Sequence, residues 1–333
     1  MGLFDLVQFG IESAAAHGTP VPATSILLCD PIKPPEDMTK EYPGYSLNSR
    51  VKSAGSHAYE QKIDDISLSI PQGYYQILPM LLSILLKGNI TPAAHTGGVD
   101  FYDWAFLPGL TPTPNAPDSI TLEVGDDEQG YQIPYVMGKE FGLSGSCIDG
   151  GPVALSLKCF GQKIVPNAFT AALDYPVIEP MVANLAKLYI DPTWLTKGTT
   201  LQTDMLCDYN LTILAGNRQR NHGNSLFPNS HVEGAIEAML ALTLEGSAVD
   251  ALYDASRPTP PASPAQYALA LEIPAGTGHH TVKACLWGEF EYIHPMESTK
   301  DDVNQYKALF HGVLDLTSSE MLDVLVTTNQ DEV

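Results

Sequence analysis

The sequence predicts a mainly-β chain: an antiparallel β-sandwich or barrel with one or two flanking α-helices and long loops. Three observations carry this. Apolar residues recur at period two in many short runs, glycines stand where those runs must reverse, and only two segments show helical spacing. The clearest stretch is Ser119 to Lys163. Ile120, Leu122 and Val124 alternate with Thr121 and Glu123, as in a strand with one dry face. Tyr131, Ile133 and Tyr135 resume that period after the polar turn GDDEQG. Val153, Leu155, Leu157 and Cys159 then face one way against Ala154, Ser156, Lys158 and Phe160. Gly125, Gly130, Gly145, Gly150 and Gly151 punctuate the runs.

Taken in order, Met1 to Cys29 reads as an N-terminal arm, with Pro20 and Pro22 favouring extended backbone. Residues 30–56, rich in Pro, Gly, Tyr and Ser, read as a loop or insertion, and 57–333 as the β-rich domain. Ile66, Leu68 and Ile70 mark a strand, and YYQILPMLLSILLK from Tyr74 to Lys87 a helix packed on the sheet. Proline-rich loops fall near 108–118 and 257–265. Pro176 to Tyr189 is the second helix candidate, opened by a proline. Ile236 to Leu244 is apolar enough for either strand or helix, while Tyr209 to Ile213, Tyr267 to Ile273 and Val282 to Leu286 alternate as strands. Tyr306 to Leu316 reads as the final strand and TTNQDEV as a frayed tail. Pro79-Met80 and Pro180-Met181 give a faint internal echo, which convergent helix chemistry would also produce.

Composition narrows the function classes. Thirty-nine acidic residues against 17 basic ones give a formal charge of -22, which repels phosphate backbones and disfavours tight nucleic-acid binding. Passage of DNA without adhesion suits that sign. The five cysteines, Cys29, Cys147, Cys159, Cys207 and Cys285, form no CxxC and no zinc spacing, so buried free thiols are expected. No basic n-region precedes an apolar core at the N-terminus, Gly2 lacks the following serine or threonine of a myristoylation signal, and ILPMLLSILLKG is too short to span a bilayer. A soluble protein is expected.

No constellation for catalysis emerges. GLSGSCIDGG lies between strands without GK[ST], and Gly142-Leu143-Ser144-Gly145 misses the nucleophile-elbow spacing. The histidines, among them His222, His231, the pair His279-His280, and His294, make no HExxH. Asp64-Asp65, Asp126-Asp127-Glu128 and Asp301-Asp302 read as solvated turns, and GDDEQG lacks the oxygen ligands of an EF-hand. No enzyme chemistry, metal or cofactor is expected. Arg218 and Arg220 in GNRQRNHG fit a contact with an acidic neighbouring subunit better than phosphate. Together with Pro20, Pro22 and Trp104 of DFYDWAF they are the candidate inter-subunit contacts. Long extended arms are costly to order alone and favour burial by neighbours.

DSITLEVGDDEQGYQIPYVMGKEFGLSGS, the following PVALSLKCFGQKIVPNAFT, the opening FGIESAAAHGTPVPATSILL and the later LAKLYID resemble the tail tube proteins of long, non-contractile-tailed bacteriophages. The resemblance covers most of the chain and is weakest from Pro31 to Ser56. It implies a tube domain of which six copies form a ring whose inner sheets join into a β-barrel around a channel. Rings stack into a tube that delivers the genome. It also implies the partners: further copies of the chain, tape measure, tail terminator and baseplate or tip proteins, with double-stranded DNA passing through unbound. The location implied is the virion tail, assembled in the host cytoplasm. A tail terminator, a capsid decoration protein and a carbohydrate- or receptor-binding module remain alternatives. The last would need Trp104, Trp194 and Trp287 exposed as sugar platforms.

Overall fold

A computed structural model describes residues 5–13, 16–33, 38–41, 57–110, 113–126, 128–223, 225–246, 248–257, 264–276, 278–300 and 303–332. The expectations for most of the 30–56 loop, the centre of the 257–265 loop, Asp127 in GDDEQG and Asp301-Asp302 lie outside the described residues. The fold is mainly β, with a large antiparallel sheet system and two short helices in a sandwich-like arrangement.

The first half carries β1 (Leu6–Ile11), β2 (Ser25–Ile26), β3 (Met38–Glu41), β4 (His57–Gln61), β5 (Ile63–Ile70), α1 (Leu78–Ser83), β6 (Ala93–Ala94), β7 (Tyr102–Phe106), β8 (Ile120–Gly125), β9 (Gly130–Ser146), β10 (Ala154–Gly161) and β11 (Val165–Pro166). The second carries β12 (Lys187–Asp191), β13 (Leu201–Gln202), β14 (Leu206–Leu214), β15 (Arg218–Arg220), β16 (Ser230–Val232), β17 (Glu237–Leu244), α2 (Ala248–Ser256), β18 (Gln266–Pro274), β19 (Thr281–Lys300), β20 (Val303–Gly312) and β21 (Leu322–Thr328).

A central sheet runs β5-β10-β9-β14-β17-β20-β19, every neighbour antiparallel. Two strands are long enough to serve two sheets. The N-terminal part of β9 joins a side sheet β2-β1-β8-β9-β11. The N-terminal part of β19 lies between β18 and β21, in a second side sheet reaching β12-β13 on one flank and β7-β6 on the other. The inward face of the central sheet presents Ile66, Leu68, Ile70, Leu143, Leu211, Leu240 and Phe310, all buried in one core that also takes in every apolar residue of α1. Each such side chain contributes about 1.5–3 kcal/mol by leaving water.

Several elements differ from the sequence reading. The Tyr74–Lys87 helix is a 3-10 turn (Tyr75–Ile77) followed by the single short α1, with Pro79 in its first turn. Pro176 to Tyr189 is not a helix. Met181 N–H donates to Gly73 O, Val153 N–H to Met181 O and Ala183 N–H to Gly151 O, so long-range pairing takes the backbone groups a helix needs. A 3-10 turn at Ala183–Leu185 then leads into β12. Ile236 to Leu244 resolves as strand β17, and α2 was not foreseen. The final strand is β21 rather than Tyr306 to Leu316, and the tail expected to fray contributes Thr327 and Thr328, buried against β7. Met1 to Cys29 is not a free arm either. β1 is fully paired to β8, and Leu27 N–H and Thr24 N–H donate to Val7 O and Phe9 O. Gly10 permits this return, since a Cβ there would sit 2.3 Å from Pro22 O.

The two halves repeat one pairing scheme. In the first, β1 pairs β2 and β8, β8 pairs β9, β9 pairs β10 and β11, and β10 pairs β5. In the second, β12, β13, β18, β19, β20, β21 and β17 pair in the same order. Registers agree in detail. Gln8 and Phe9 face Ile26 and Ser25 where Leu188 and Tyr189 face Gln202 and Leu201. The long strands share a bulge, at Lys139 between Gly138 and Glu140 and at Glu291 between Phe290 and Tyr292. β10 and β20 both end on a buried glycine, Gly161 and Gly312. The Pro-Met echo is not this repeat, because Pro180-Met181 has no counterpart in α1.

Candidate assembly surface

The predicted contact residues fall in different settings. Pro20 and Pro22 are exposed on the segment that returns along β1. Val21 N–H donates to Thr121 Oγ1 and Ala23 N–H to Thr170 Oγ1, so the outward prolines sit on a pinned backbone. Arg218 and Arg220 are exposed on β15, in a β-hairpin with β16 rather than in a loop. Gln219 between them points the other way, its amide donating to Ile63 O and Asp64 Oδ1. Trp104 is 2% exposed and its indole N–H donates to Gln330 O, so it cannot be a contact with another chain. Trp194 and Trp287 are buried as well, which removes the sugar platforms the lectin alternative needed.

β8 is buried on both faces, contrary to the one dry face expected, because Thr121 and Glu123 are covered by the N-terminal segment and residues 169–170. Glu123 accepts from Thr170 N–H at 2.8 Å and Thr170 Oγ1 at 2.9 Å. The buried Glu12 carboxylate accepts from Gly18 N–H, Ser119 Oγ, Thr121 Oγ1 and Tyr135 N–H at 2.6–2.8 Å. His17 Nδ1 lies 2.7 Å from Ser119 Oγ, so a serine, a histidine and a carboxylate do meet. Their order does not suit nucleophile activation: Ser119 commits its proton to Glu12, Ser119 is fully buried, and among the described residues no carboxylate hydrogen-bonds His17. Beside them the Tyr135 hydroxyl meets His231 Nδ1 at 2.9 Å. Burial, then Glu12, pushes Tyr135 up to about 12, and burial, then His17, lowers His231. This is a folding network that the sequence did not reveal; its signal was one acidic residue, Glu12, six positions before a Gly-Thr turn.

All five thiols are free. Burial pushes Cys29, Cys207 and Cys285 up to about 12, which marks packing rather than reactivity. Among the described residues no group of three His, Cys, Asp or Glu side chains could hold a metal ion, and no helix is long and apolar enough to cross a membrane. A cleft of about 720 Å³ lies between Gly109, Leu110, Thr113 to Asn115, residues 231–236, Leu314 and Met321. Its carboxylate, Glu233, is occupied by Asn115 N–H and Ala116 N–H.

What the surface offers is edges and loops. On the outward face of the central sheet, Ser69, Ser156, Gly142 and Thr212 stand in register across four strands. The next row pairs Lys158 with Glu140 at 2.9 Å. The sheet ends at β5 on one side and at β19 beyond Phe290 on the other, and neither flank meets a further strand among the described residues. Exposed apolar side chains gather on loops: Tyr175 and Val177 between the halves, and Leu195 and Leu316 on two loops joined by Trp194 Nε1 to Glu320 and Lys197 to Asp323. No family model matches the chain, and no curated protein matches it significantly.

Proposed function

We propose that this chain is a structural subunit that assembles as stacked rings into the tail tube of a long, non-contractile-tailed bacteriophage, forming the channel for genome delivery. The observation that carries the reading is the central sheet whose opposite flanks, β5 and the outer part of β19, meet no further strand among the described residues. Open edges are a hazard in a monomer, and head-to-tail closure into a ring removes them. The exposed apolar loops supply surface for stacking one ring on the next.

In this reading the outward face of the central sheet lines the channel. Its serine, glycine and threonine rows and its Lys158–Glu140 pair carry little net charge. Asp208, Glu237 and Glu289 share that face by register, so the wall is acidic on balance, in keeping with the charge of the chain. Such a wall offers phosphates few cations to exchange and so little adhesion. Negative-stain electron microscopy of the purified protein at high concentration tests the proposal. Hollow rings or tubes are expected; dispersed monomers would overturn it.

A further inference from the structure

We infer that the ring-forming unit is half of this chain: each chain supplies two tandem units, and a second copy adds at the outer edge of β19 through its own residues after Cys29. The inference rests on the ring-forming reading above and fixes its stoichiometry and contact.

The molecule contains one worked example of the junction. Within the chain, β14 lies between the two halves, paired to β9 of the first from Ser146 to Glu140 and to β17 of the second. Met205 leads into it, followed by Leu206, Cys207 and Asp208, and Asp208 stands opposite Thr243 next to the end of β17. The first half repeats that start. Leu27, Leu28, Cys29 and Asp30 follow β2 as Met205 to Asp208 follow β13, and Asp30 N–H donates to Ser69 O next to the end of β5. Asp30 is therefore the first-half counterpart of Asp208, bonded to β5 where Asp208 meets β17, and residues 30–33 stand where β14 begins.

Each partner of β14 then has an equivalent, and only one contact is missing. The bulges align β9 with β19, Lys139 with Glu291, so Glu140 to Gly142 correspond to Tyr292 to His294, and a second irregularity between His294 and Ser298 then brings Ser298 level with Ser144. In β9 that stretch is covered on its outer side by β14. In β19, among the described residues, it pairs β20 on one side only, since β18 reaches no further than Glu289. What β14 does for β9 inside the chain, the segment after Cys29 of the next copy does for β19. The contact is heterologous and repeats around a ring until it closes. The six-unit ring that the tail-tube resemblance implies then holds three chains.

The register follows from Asn210 facing Ser144 within the chain and from Ser298 standing where Ser144 does: Ile32 of one copy falls opposite Ser298 of the next. The test has two arms on the full chain. Electron-microscopic averaging of rings or tubes from the unaltered protein should give threefold rotational order in chains. The Ile32→Cys, Ser298→Cys double variant, oxidised with copper phenanthroline, should give interchain disulfide ladders that neither single variant gives. Sixfold order in chains overturns the half-chain unit, whatever the disulfide. Threefold order without the ladder overturns the contact. Absence of any ring defeats the tube reading itself, and absence of the ladder in that same sample defeats the edge contact independently.

Discussion

The two halves of the molecule share a pairing scheme and a bulge yet hold their opening turns with different acids. In the first half Glu12 receives Gly18 N–H together with Ser119, Thr121 and Tyr135, residues more than a hundred positions away. In the second, Asp191 receives Thr199 N–H, Thr199 Oγ1 and Thr200 N–H, all within one local turn. Gly18 and Gly198 occupy matching left-handed positions in His-Gly-Thr and Lys-Gly-Thr. The backbone scheme is thus tolerant of which carboxylate closes the turn, but only the first-half acid also locks two strands of its side sheet. A repeated fold does not imply repeated energetics.

Removing the two acids should break that comparison most clearly. Glu12→Ala leaves four buried donors without a partner and is expected to cost about 3–5 kcal/mol, whereas Asp191→Ala, losing local bonds, should cost about 2 kcal/mol. Urea midpoints of the two variants measure the difference; equal losses would mean the long-range bonds of Glu12 add nothing. Gly18→Ala and Gly198→Ala come next, at about 1–2 kcal/mol each from the positive φ. The first should be the larger. An added Cβ at Gly18 meets Gln162 Nε2 at 3.0 Å, an amide held by Pro228 O, while at Gly198 it meets the mobile end of Lys283.

A pH series sharpens the comparison further. Cys29 and Cys207 are matching residues of the repeat, and burial pushes both up to about 12 from an ordinary value of 9. Raised folded-state values mean the native form holds more protons than the unfolded form in that window. The stability they contribute is complete below pH 9 and is lost as pH rises towards 12. Stability by urea titration should therefore fall between pH 9 and pH 11. The Cys29→Ala, Cys207→Ala double variant should show a shallower fall, with each half contributing a share.

Much of this fold was legible because period-two alternation survives wherever one sheet face is dry, as in β5, β10 and β14. β8 misled because both faces are covered, by residues that sequence distance hides. Pro176 to Tyr189 misled because helical spacing is a local signal, while Gly73 and Val153 bind that segment from afar. The repeat was missed for a related reason. Its sequence trace is short, Leu-Leu-Cys-Asp against Met-Leu-Cys-Asp and two Gly-Thr turns, whereas its structural trace is register, which only pairing displays. Of the candidate contacts, Trp104 failed because an aromatic in a polar-looking run reads as exposed until β21 is seen to cover it.

The smallest effect on the single chain should be the largest on the assembly. Leu195 and Leu316 are 92% and 87% exposed, on loops that Trp194, Lys197, Glu320 and Asp323 hold together. Replacing both by serine removes no internal packing, so the urea midpoint should move by no more than about 0.5 kcal/mol equivalent. The matching first-half loop opens with Glu12 turned inward and bonded to Gly18, and so carries its turn differently. If the second-half loops mediate stacking, Leu195→Ser with Leu316→Ser leaves single rings intact but shortens or abolishes tubes in electron micrographs. Tubes of unchanged length would assign stacking to other surfaces, with Tyr175 and Val177 between the halves the next pair to substitute.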